Sequence, residues 1–137
     1  MRNESERAER FKEICTKSVF TYREKVLNEL GNSEYTLNSR NKSAVPAKDV
    51  LNIYNGRAQR LSKYTGTHAI RLRNEVVALC RELEKYPNDL IEVLSFSDGE
   101  TSDYVLFCNS HRILGCLLTV DRRKVTDKHW EELWGNK

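Results

Sequence analysis

Helical periodicity through the first 86 residues, short apolar runs of strand type from Leu90 onward, and turn chemistry between them predict an α+β fold. The expected order is three helices, the first of them long, then a three-stranded antiparallel meander and a short C-terminal helix. With 137 residues, six Gly, two Pro and 31% charged side chains, the chain has the size and composition of one folded domain over 1–137.

The first helix is expected over 1–31. Asn3 and Glu6 have the spacing of a capping box, Gly31 is placed to terminate, and Ala8, Phe11, Cys15, Val19, Tyr22, Val26 and Leu30 recur at three and four. Such a helix would run roughly 40 Å, about the full width of a domain this size, so it must cross the domain, bend or project into a second copy. Phe20 and Leu27, off the main stripe, supply a candidate contact line.

Residues 32–46 are rich in Asn and Ser and read as a polar loop with a short strand at Tyr35 to Leu37. A helical pair follows over 47–86. Ala47, Val50, Leu51, Tyr54, Ala58 and Leu61 share one face behind Pro46, with Gly56 a possible kink. Thr67 is the expected N-cap of the next helix, whose face is Ala69, Leu72, Val76, Leu79, Cys80 and Leu83, and Pro87 stops it.

Strands are predicted at Ile91 to Phe96, Tyr104 to Cys108 and Ile113 to Val120, within a meander over 90–120. Their apolar residues occupy both faces, so helices must cover one side and something else the other; the expected helix over 126–134, with Trp130 and Trp134, is the candidate second cover. Cys15, Cys80, Cys108 and Cys116 lie in apolar patterns without a C-x-x-C pair. A tight turn near Ser110 would set Cys108 opposite Ile113 and Cys116 opposite Val105, so these two would not face each other.

No apolar run approaches the length of a membrane span, and the charged amino terminus lacks a secretory pattern; a cytoplasmic protein with no membrane association is expected. Charge is uneven along the chain. Residues 1–34 are neutral, 35–74 carry eight basic and one acidic side chain, and 75–137 are net negative by four. The middle segment is a field for polyanions. On its second helix Ile53, Arg57, Arg60 and Tyr64 form one flank, with Lys63 further round. The next turn brings Thr67 and His68 to a helix start, where free N–H groups favour phosphate. The candidate ligand-binding set is Arg57, Arg60, Lys63, Tyr64, Thr67, His68 and Arg71, with arginines on phosphate and Tyr64 on a base. Arg73, nearer the core edge, is expected to have an internal carboxylate partner.

Catalytic and cofactor motifs are absent: no H-E-x-x-H, no phosphate-binding glycine loop, no G-x-S-x-G. Cys108, His111 and Cys116 have partial zinc spacing without an evident fourth ligand. A winged helix would make Thr67 to Asn74 the start of a recognition helix and Ser97 to Ser102 the wing, but Asp98, Glu100 and Asp103 would repel the DNA backbone there. The stretch from Arg123 to His129 is similar to the R-x(4–6)-H motif of HEPN-type ribonucleases, which implies action on an RNA phosphodiester. The resemblance covers seven residues, and that family is all-helical.

The leading expectation is a small non-enzymatic binding protein that holds a nucleic acid or phosphate-bearing nucleotide, forms a homo-oligomer and needs no cofactor or metal. The alternative is a protein-interaction module that docks an acidic partner or uses Phe20, Leu27, Trp130 and Trp134. A small ribonuclease is the third.

Overall fold

The computed structural model describes residues 4–16, 22–38, 41–63, 65–98 and 102–121. Within them the fold is α+β, with helices α1 (Glu4–Thr16), α2 (Arg23–Gly31), α3 (Ala47–Leu61) and α4 (Thr67–Lys85). The strands are β1 (Thr36–Leu37), β2 (Lys42–Pro46), β3 (Leu90–Ser97), β4 (Ser102–Cys108) and β5 (Ile113–Asp121).

The predicted meander is present as β3-β4-β5, antiparallel throughout, but the sheet has five strands rather than three. β1 and β2 both pair with the edge of β3 that β4 leaves free, Leu37 against Phe96 at one end and Val45 against Ile91 at the other. The expected polar loop over 32–46 therefore contributes two strands to the sheet. The short strand expected at Tyr35 to Leu37 is present as β1, with both of its residues exposed, whereas β2 is a short edge strand that escapes a periodicity reading. Ala44, with φ 57°, sits where the β2 register shifts between Lys42 and Val45.

The single long helix is corrected to two. α1 ends at Thr16, whose hydroxyl donates back to the Lys12 carbonyl at 2.7 Å, and Tyr22 is in extended conformation, bridged to Arg112, before α2 begins. Apolar positions in the sequence keep a spacing of three and four on both sides of Tyr22, so the stripe does not announce its extended conformation.

Side-chain alternation sorts the strands onto two faces. Ile91, Val93, Val105, Phe107, Leu114 and Leu117 pack with Val50, Tyr54, Val76 and Leu79 of α3 and α4. Leu94, Phe96, Tyr104, Leu106, Cys108 and Leu118 pack with Phe11 and Cys15 of α1, Val26 and Leu30 of α2, and Tyr35. Three layers result: α1 and α2, the sheet, then α3 and α4. The second cover is thus the N-terminal helix pair, and the helix expected over 126–134 lies outside the described residues.

Two polar links pin that N-terminal layer. Arg7 Nε donates to Asp98 Oδ2 at 2.7 Å with both side chains buried, and the Tyr104 hydroxyl donates to the same oxygen at 2.9 Å. Arg23 donates to Glu92 at the opposite end of β3. α3 runs unbroken through Gly56, where an added Cβ would lie 3.4 Å from the Arg60 guanidinium. β4 and β5 pair with Cys108 opposite Ile113, as the turn predicts, but a register shift between Phe107 and Cys108 places Cys116 opposite Leu106, not Val105.

Candidate polyanion-binding surface

The candidate surface is built where α3 ends and α4 begins. α3 turns Ala47, Val50 and Tyr54 to the sheet. Its last turn closes with Ser62 N–H on the Ala58 carbonyl and Lys63 N–H on the Arg60 carbonyl, while the Ser62 hydroxyl donates to the Gln59 carbonyl. This leaves Arg60 and Lys63 exposed and Arg57 half-buried on the flank. None of the three has an ion-pair partner among the described residues, and the buried Arg57 Nε has no acceptor there. Burial holds the hydroxyl of nearby Tyr54 above its ordinary range, and the Arg57 charge opposes that shift.

Gly66, not Thr67, is the N-cap of α4: it is extended, and no side chain caps the helix start. Thr67 and His68 occupy the first helical positions, with no acidic residue in that turn. The Ile70 N–H already bonds the Gly66 carbonyl. Tyr64 lies outside the described residues.

Carboxylate partners are found on Arg71, not on Arg73 as expected, among the described residues. Arg71 donates to Glu9 of α1 at 3.1 Å and lies 4.0 Å from Glu75, so carboxylates hold it. Arg73 is exposed without an ion-pair partner among the described residues. A contact 62 residues distant in sequence is invisible to a charge count.

Glu75 was not singled out by its sequence position, yet burial perturbs its carboxylate. Its Oε2 accepts the Leu118 N–H at 3.1 Å, while its buried Oε1 has no hydrogen-bond donor among the described residues. Burial raises its pKa to about 7; the Leu118 hydrogen bond and the charges of Arg71 and Lys12 pull it back, and Glu9 adds to the rise.

Of the candidate interface residues, Leu27 is half-buried against the α1–α2 side of the core. Phe20, Trp130 and Trp134, like Arg123 and His129, lie outside the described residues. Cys108 lies 3.6 Å from Glu92 Oε1 and is pushed up to about 12, chiefly by burial and next by that carboxylate. Cys15 is raised by its hydrogen bond with Cys116 and by burial. Among the described residues no three His, Cys, Asp or Glu side chains converge as a metal site, and no helix is long and apolar enough to cross a membrane.

Comparison of the chain with protein-family models, curated proteins and solved structures finds no match. The functional reading therefore rests on this geometry.

Proposed function

We propose that this is a small cytoplasmic, non-enzymatic binding protein whose α3–α4 surface holds a nucleic acid or a phosphate-bearing nucleotide. The supporting observation is the group of cations Arg57, Arg60 and Lys63 at the end of α3, which no carboxylate neutralises among the described residues, beside a helix start free of acidic side chains. Arginine forks suit phosphate oxygens, and an α-helix start presents N–H groups to them. Arg71 acts as a support that ties α4 to α1.

The test is fluorescence anisotropy of short labelled DNA and RNA against salt, with the wild type and Arg60→Glu/Lys63→Glu. Both side chains are exposed, so the variant retains its fold. If Arg57, Arg60 and Lys63 each meet one phosphate, raising salt from about 50 to 200 mM should weaken binding roughly 20-fold on a single strand and 40-fold on a duplex. The double reversal should abolish most of that dependence. Equal affinity of the two proteins for every anionic ligand would overturn the proposal.

A further inference from the structure

The solvent side of α3 is built differently from the other helices. Lys48, Asn52, Asn55, Gln59 and Lys63 are spaced four, three, four and four apart, and all five are exposed. At about 100° per residue Lys48, Asn52, Asn55 and Gln59 fall on one line along α3, within an arc of roughly 60°, and Lys63 follows two residues beyond the helix end. None of the three amide side chains makes a hydrogen bond among the described residues, so their donors and acceptors face water. Asn is a poor helix former, and helix stability alone would favour Ala, Glu or Lys on such a line. Asp49 is the one acidic residue of α3 and is half-buried, whereas α1 and α4 each carry several glutamates.

We propose that this line reads base edges in the major groove of double-helical DNA, with Asn52, Asn55 and Gln59 on the bases and Lys48, Arg60 and Lys63 on the flanking phosphates. The inference rests on the polyanion reading above and names its ligand. Asn52 to Gln59 spans about 10 Å, the rise of three base pairs, and Lys48 to Lys63 spans about 22 Å, which sets the cations beyond both ends of that stretch. The major groove is roughly 12 Å wide and admits a helix, and Asn and Gln match adenine there as paired donor and acceptor to N7 and N6. The A-form groove of duplex RNA is too deep and narrow for this approach. α3 is buried by its opposite side against α4, β2 and β3, so the line is free to enter the groove.

The experiment is selection from a pool of randomised DNA duplexes by the full chain, followed by anisotropy on the enriched duplex, its RNA counterpart and its single strands. Enrichment of a core of about three base pairs containing adenine is expected. Replacing one such adenine pair should weaken binding between about fivefold and a hundredfold. Asn52→Ala/Asn55→Ala/Gln59→Ala should erase the preference while keeping salt-dependent binding. Salt-dependent binding without enrichment, retention of the preference by the triple variant, or equal affinity for RNA duplex or single strands would each overturn this inference and leave the polyanion reading standing. Absence of salt-dependent binding to any nucleic acid would overturn both.

Discussion

Replacing Glu75 by Gln should stabilise this protein, and the gain should depend on pH. Glu75 is ordinary in the unfolded chain, near 4.5, and raised by burial to about 7 in the fold. Between those values the folded state holds a proton that the unfolded state has released, so stability falls as pH rises through that window and levels off above it. The rise of roughly 2.5 units corresponds to about 3 kcal/mol at full ionisation. Glutamine keeps an oxygen for the Leu118 N–H and carries no charge to desolvate. Arg71 keeps Glu9 as its partner. Thermal unfolding of both proteins from pH 4.5 to 8 should show curves that start close together and separate by about 2–3 kcal/mol, on the order of 10 °C in Tm. Parallel curves across that range would refute the assignment of the cost to a buried, ionised Glu75.

Asp98→Ala should cost about 3–5 kcal/mol, because it strands the buried Arg7 guanidinium and removes the acceptor of Tyr104; chemical denaturation measures it, and a loss under 1 kcal/mol would show that the pair is not isolated from water. Gly115→Ala places a methyl group 3.0 Å from Leu79 Cδ1 and 3.2 Å from its Cβ, so a loss of about 1–3 kcal/mol is expected from strain between α4 and β5, and an unchanged Tm would mean that helix and strand lie further apart. Timed alkylation by iodoacetamide at pH 8, read by mass spectrometry, should label Cys15 and Cys108 far more slowly than in the unfolded chain, since both thiols are buried and raised; rapid labelling of Cys108 would contradict its position beside Glu92.

Sequence periodicity was most informative where packing repeats locally. The faces of α3 and α4 are those that Val50, Tyr54, Val76, Leu79, Cys80 and Leu83 define, and the three strands of the meander fall within a residue or two of their predicted bounds. It failed where structure depends on distant partners. The short strand at Tyr35 to Leu37 was legible and is present as β1, but β2 gains its identity only from pairing with β3, and the apolar stripe stays in phase between α1 and α2. At the candidate surface, Arg57, Arg60 and Lys63 were legible as a charge cluster because local spacing places them together. The commitment of Arg71 to Glu9, the burial of Glu75 and the Arg7–Asp98 pair were not, since each depends on contact between separate layers.

The position of β3 in the chain sets an order of events during synthesis. β1, β2 and the face that α1 and α2 cover all need a strand that begins at Leu90, roughly 45 residues after the end of β2. At about 5–20 residues per second, several seconds pass before that strand is made. Over this interval the first 46 residues have no sheet to join. The α3–α4 hairpin, whose contacts are local, is the unit able to assemble early. The nascent chain would therefore display its most basic segment before its two-sided core closes, and an anion bound there could meet the protein before it is complete.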